Sequence, residues 1–111
     1  MPKYSGSMFT SRSAAFEAAM LLIYDRAKSE CRYIATHFRQ MISAKGAIAT
    51  AKYLINSERE QIGFKTLTKM KRWDLTAEFL VIQKEWKELF TKTDVINAMN
   101  RLLKSGYKPP N

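Results

Sequence analysis

A chain of 111 residues is the size of one domain, and its 46% hydrophobic and 12% aromatic content supplies enough apolar side chain for a packed core. Nineteen Lys and Arg against ten Asp and Glu give a formal charge of +9, a balance that concerns partners rather than fold. One cysteine, Cys31, excludes an internal disulfide, one histidine beside it is too few for a four-ligand zinc site, and the longest uncharged apolar run, Ala18 to Tyr24, is too short to span a bilayer.

Residues 1–12 (MPKYSGSMFTSR) are rich in Ser, Gly and Thr without a period, and residues 105–111 (SGYKPPN) carry Gly and two prolines. Both ends are therefore expected as tails around a folded part at 13–104. The basic start and the apolar patch behind it do not make a signal peptide, because Glu17 precedes the patch and Asp25 follows it without a small-residue cleavage site. A reducing cytoplasm is the expected compartment, with no membrane partner. From Ser13 onward, Phe16, Met20, Ile23, Tyr24, Ala27 and Cys31 recur at spacings of 4, 3, 1, 3 and 4, which predicts one face of a helix of about five turns. Thr36 is placed to cap a short helix through Lys45, and Gly46 breaks it before the alanine-rich Ala47–Asn56, so that the two form a hairpin.

Ser57–Gly63 has no apolar period and reads as a connection to a helix from Phe64 to about Arg72, with Phe64, Leu67 and Met70 facing inward. Asp74 sits where an N-cap is favoured, ahead of Leu75, Phe79, Ile82 and Trp86 at spacings of 4, 3 and 4, which predicts another helix, although Phe79–Ile82 alone also fits a buried strand. Thr91 with Asp94 approximates a capping box opening a last helix through Val95, Met99, Leu102 and Leu103, and Gly106 suits its stop. There is no Asn-Gly or Asp-Gly hairpin turn, no repeat and no sustained heptad. The expected fold is all-α, a compact single domain of five or six helices. Its core is expected to include Phe16, Met20, Tyr24, Leu67, Phe79, Ile82, Trp86, Met99 and Leu102.

The charge is unevenly spread. Residues 31–73 hold nine basic against two acidic residues, a net +7, while the blocks before and after carry +1 each. Arg32, Arg39, Lys45 and Lys52 occur with no acid between Cys31 and Ser57, and Lys65, Lys69, Lys71 and Arg72 with none between Gln61 and Trp73. Such self-repulsion costs stability and asks for a reason. On a helix Lys65, Lys69 and Arg72 lie at i, i+4 and i+7, a cationic stripe opposite Phe64, Leu67 and Met70 that is able to follow a phosphate backbone. Tyr33, Phe38, Tyr53 and Trp73 are interleaved with this charge and would stack on bases where exposed. The pair Ala47–Asn56 and Phe64–Arg72 also fits a helix-turn-helix with Lys65, Thr66, Lys69 and Arg72 toward the groove, although its seven-residue connection exceeds the usual three or four. The plainer reading is that the aromatics belong to the core and the charges to a solvated face.

Little in the chain points to catalysis. Cys31 and His37 are six apart across an expected helix break, too far for a nucleophile and its base on one helix. Asp74 with Glu78, and Glu85 with Glu88, place carboxylates on common helix faces, but the first pair suits a helix N-terminus and Lys84 and Lys87 flank the second. The phosphate-cradle, dinucleotide, hydrolase-elbow and zincin motifs are all missing from the sequence. A non-enzyme without metal, nucleotide or flavin is expected.

From Gly46 to Leu103 the segments GAIATAKYLI, GFKTL, WDLTAEFLVI, EWKELFTKTDV and RLL together resemble a group of small bacterial proteins of uncharacterised function, with DLTAE and the downstream LFT as the most specific part. The resemblance covers about the second half of the chain. It implies a bacterial or phage origin and a complete protein, and carries over no site residue. The functional expectation therefore rests on charge: a nucleic-acid-binding accessory protein that holds DNA or RNA phosphates with residues 31–73. The alternative is a protein-interaction module, such as a phage inhibitor or adaptor, whose basic face occupies an acidic or nucleic-acid-binding site on a larger complex.

Overall fold

The apolar stripe around Phe16 forms a helix, and a longer one than its period marks. The computed structural model describes residues 4–58 and 61–110, and in it the first helix, α1, runs Tyr4–Cys31. The tail expected over 1–12 is thus helical from residue 4, while residues 1–3 lie outside the described residues. Phe16, Met20, Ile23 and Ala27 are buried along one face of α1, with Tyr24 and Cys31 at its margin. Then follow α2 (Thr36–Lys45), α3 (Ala47–Asn56), α4 (Ile62–Lys69), a 3₁₀ turn at Trp73–Leu75, α5 (Ala77–Val81), a 3₁₀ turn at Lys84–Leu89, and α6 (Lys92–Lys104). Among the described residues there is no strand, so the fold is all-α.

The middle of the packing is α3, which meets α1, α2, α5 and α6. Its buried face is mostly small, Ala47, Thr50 and Ala51 ahead of Leu54 and Ile55, and small side chains let four helices approach one axis. Gly46 makes the sharp α2–α3 corner at φ 88°, a left-handed conformation that a Cβ disfavours. Against α1, Phe16 meets Trp86 and Phe90 edge to face, with ring centroids 5.4 and 5.2 Å apart. Arg12 fastens the same turn from outside, donating to the Glu85 carbonyl at 3.2 Å and lying 3.1 Å from the Glu88 carboxylate.

The helix expected from Asp74 through Trp86 is divided in three. Thr76, not Asp74, caps α5, its hydroxyl accepting from the Phe79 amide at 3.2 Å. At the far end the Gln83 side chain donates to the Phe79 carbonyl at 2.8 Å, taking the place of the next helical amide, and the chain turns into the Lys84–Leu89 segment. Leu75 and Trp86 are still buried, but Ala77, Glu78 and Val81 face inward between them, and Phe79 and Ile82 lie at the margin. Of the expected core, Phe16, Met20, Leu67, Trp86 and Leu102 are buried, while Tyr24, Phe79, Ile82 and Met99 are only partly so.

The last helix opens as its sequence requires. The Thr91 hydroxyl accepts from the Asp94 amide and the Asp94 carboxylate accepts from the Thr91 amide, both at 3.0 Å, a complete capping box. Asp94, Ala98 and Leu102 are buried, whereas Leu103 is 47% exposed rather than inward. Gly106, at φ 103°, ends α6 with the Tyr107 amide reaching back to the Leu102 carbonyl. The tail expected from residue 105 is docked at its start: Ser105 accepts from the Trp73 indole at 3.0 Å, and Tyr107 packs against Trp73 and Phe79.

Candidate nucleic-acid interface

The stripe of Lys65, Lys69 and Arg72 depends on α4 continuing to Arg72, and it does not. The helix starts at Ile62 rather than Phe64 and ends at Lys69; residues 59 and 60 of the expected connection lie outside the described residues. After Met70 the chain turns through Lys71 at φ 60°, with the Arg72 amide on the Leu67 carbonyl and the Lys71 amide on the Thr68 carbonyl, a Schellman stop built without glycine. Met70, expected inward, is consequently 46% exposed. Nor do α3 and α4 make a helix-turn-helix pair. The main neighbour of α4 is the Trp73–Leu75 turn, and those of α3 are α1, α2, α5 and α6.

Past this turn Arg72 points back into the protein. Its Nε and Nη2 donate to the two oxygens of Asp74 at 3.1 Å each, and Nη2 also reaches Glu30 at 2.6 Å. Arg26 completes the cluster, donating to Glu30 at 2.8 Å and lying 3.4 Å from Asp74. Hydrogen bonds from Arg26 and then Arg72 pull the Glu30 carboxyl down to about 2, and the bond from Arg72 holds Asp74 below its ordinary value. Arg72 is therefore a clasp between the end of α4 and the end of α1, with its charge satisfied by carboxylates. It is withdrawn from the set expected to face phosphate.

Other cations flank the clasp in sequence. Arg72 Nη1 lies 3.9 Å from the Cys31 sulfur, which ties the stretch after α4 to the last residue of α1, the residue before Arg32. Arg32 and Lys71 both have left-handed backbone, at φ 56° and 60°, Arg32 directly after α1 and Lys71 two residues after α4, and both are exposed, as is Lys69 at the end of α4. None of the three makes an ion pair with a described residue. Lys65, also exposed and unpaired among the described residues, borders a polar groove of about 510 Å³ between the ends of α3 and α6, across from Asn97, Asn100 and Lys104.

The remaining expected site residues sit on the α2–α3 hairpin and are engaged locally. Arg39 donates to the Ser43 hydroxyl at 2.7 Å, the Lys45 ammonium stands 4.6 Å from the Tyr53 ring centroid, and Lys52 lies 3.8 Å from the Asp94 carboxylate. Of the four aromatics considered for base stacking, Tyr33, Phe38 and Trp73 are half-buried, and Tyr53 is 49% exposed. Neither carboxylate pair forms a site: Asp74 belongs to the clasp, Glu78 is buried toward Arg101, and Glu88 is held by Arg12. Among the described residues no group of His, Cys, Asp and Glu is arranged to hold a metal ion, and no helix is long and apolar enough to cross a membrane.

Sequence reasoning missed Arg101 and Lys104 because they belong to a block of net charge +1. Arg101 donates to the Leu54 carbonyl at 2.8 Å and to the Ser57 carbonyl, closing the end of α3, and faces Glu78 at 3.8 Å. Beside it Asn97 donates to Asn56 at 2.7 Å, and Asn56 to Asp94 at 3.0 Å. Burial alone would raise the Asp94 carboxyl, but the bonds from Asn56 and Thr91 and the nearby Lys52 outweigh it and leave the group lowered. The signal was present in the spacing of Asn97, Asn100, Arg101 and Lys104, a polar face of α6 opposite Ala98 and Leu102. No protein-family model, curated protein or solved structure matches this chain.

Proposed function

We propose that the chain is a small nucleic-acid-binding accessory protein that grips the phosphate backbone through Arg32, Lys65, Lys69 and Lys71. The observation that carries this reading is the division among the basic residues. Within residues 31–73, Arg72 and Lys52 have carboxylate neighbours within 4 Å, Arg39 donates to Ser43 and Lys45 stands over the Tyr53 ring, whereas these four stand exposed with no such partner among the described residues. An exposed cation without a local carboxylate keeps its full attraction for a phosphate, and each phosphate it neutralises releases condensed counterions. The contacts proposed go to backbone rather than to base edges, so the role is sequence-tolerant binding and not catalysis.

Labelled duplex DNA and single-stranded RNA, titrated with the protein at several salt concentrations, test the reading. Four phosphate contacts predict a loss of affinity of about 100-fold for duplex DNA between 50 and 200 mM salt, at about 0.9 unit of log–log slope per contact. Affinity is expected to change little when the sequence is scrambled. No binding to either nucleic acid at the lowest salt would overturn the proposal.

A further inference from the structure

On another face, a groove of about 420 Å³ runs between the end of α5, the Lys84–Leu89 turn and the first turns of α6. Its floor is apolar, made by Val81, Ile82, Phe90, Val95 and Ile96, and its rim carries Lys84, Lys87 and Lys92. All three lysines are exposed, and none forms an ion pair with a described residue. Two of the acids nearest in sequence are committed elsewhere, Glu88 to Arg12 at 3.1 Å and Asp94 to the capping box and Asn56. Ile96, in the groove, is 52% exposed, and Leu103 seven residues later on the same side of α6 is 47% exposed. Leu103 thus stands about 10.5 Å beyond Ile96, two helical turns, with the half-buried Met99 between them.

Phosphates do not call for an apolar floor, and a second copy of a +9 chain brings cations to meet cations. A bilayer contacts protruding apolar side chains, whereas most of this lining, Val81, Ile82, Phe90 and Val95, is buried or half-buried and would receive them. We propose that the groove docks an acidic amphipathic helix of a partner protein. Two or three of its apolar side chains, spaced i, i+3 or i+4 and i+7, fill the groove and the Ile96–Leu103 strip, while flanking carboxylates meet the lysine rim.

The test uses a fluorescein-labelled helical peptide of about five turns with Leu at those positions on a Glu and Gln background. A scrambled peptide of the same composition and a version with Lys in place of Glu serve as controls. Anisotropy at moderate salt is expected to show binding by the first peptide at least about tenfold tighter than by either control. Amide shifts on binding should gather at Ile82, Val95 and Ile96. Ile96→Asp, at a half-exposed position, and the triple Lys84→Gln, Lys87→Gln, Lys92→Gln are each expected to weaken the peptide by about tenfold, and Ile96→Asp, which removes no cation, is expected to leave nucleic-acid binding unchanged. That last readout separates this proposal from the phosphate-binding one. Equal binding of the scrambled peptide, shifts gathered at Arg32, Lys69 and Lys71 instead, or no binding of the acidic peptide would overturn it. Sedimentation with phosphatidylserine vesicles that depends on Ile96, in a protein that ignores the peptide, would overturn it in favour of a lipid surface.

Discussion

Two arginines close the ends of two helices, and they do so in opposite surroundings. Arg72 lies in an open cluster with Arg26, Glu30 and Asp74, whose side chains keep 29–39% of their exposure. Arg101 keeps 13%, faces a Glu78 that keeps 4%, and donates to two carbonyls at the end of α3. Both are satisfied inside the molecule, so neither is available to a partner, but for different reasons. Water and salt compete for the first cluster and hardly at all for the second. A count of charges along the chain treats the two arginines and the free lysines alike. The structure separates them into side chains that hold helices and side chains that face outward.

The largest effect is expected at Arg101. Arg101→Met takes the donor away from the Leu54 and Ser57 carbonyls and a cation from beside the buried Glu78, and should cost about 3 kcal/mol in a urea melt, because part-buried acceptors lose their partner. A cost below about 1 kcal/mol would show that water reaches this corner as it reaches the other. Thr91→Ala, which opens the capping box at the start of α6, should cost about 1 kcal/mol.

Arg72→Gln is expected to cost less, at most about 1 kcal/mol at moderate salt, and the cost should grow as salt is removed. The Arg101→Met cost should hardly move with salt, and equal salt dependence of the two variants would dissolve the contrast. The smallest effect is acid sensitivity. Glu30 is held near 2 against an ordinary 4.5, and Asp74 is also lowered, so their stabilising contribution is complete above the unfolded values and lost as the pH falls from about 4.5 toward 2. Stability should therefore decline across that window, and Arg72→Gln should make the decline shallower.

Much of the fold was legible because its signals are local. The stripe from Phe16 to Ala27, the Gly46 corner, the Thr91 and Asp94 box and the Gly106 stop each depend on residues a few positions apart. The break at Gln83 was hidden because it rests on a side chain bonding to the Phe79 carbonyl, which no apolar period records. The stop at Lys69 was hidden because a lysine occupies the left-handed position where glycine is expected. In the candidate interface, charge density pointed to Arg32, Lys65, Lys69 and Lys71, but it could not remove Arg72, whose turn onto Asp74 two residues on and Glu30 42 residues away depends on the helix stopping at Lys69. Lys104 was overlooked for the opposite reason, since its own stretch of sequence is nearly neutral and only the fold sets it across from Lys65.

The division between holding and outward-facing cations is tested most directly by the salt dependence of duplex-DNA binding in two variants. Replacing Arg32, Lys65, Lys69 and Lys71 together by Gln should lower the log–log slope by up to about 3.6 units, at about 0.9 per lost contact, with little change in stability. Arg72→Gln should lower stability and leave the slope as it is in the parent. A slope that falls with Arg72→Gln and survives the fourfold replacement would contradict the account, placing the phosphates on the clasp itself.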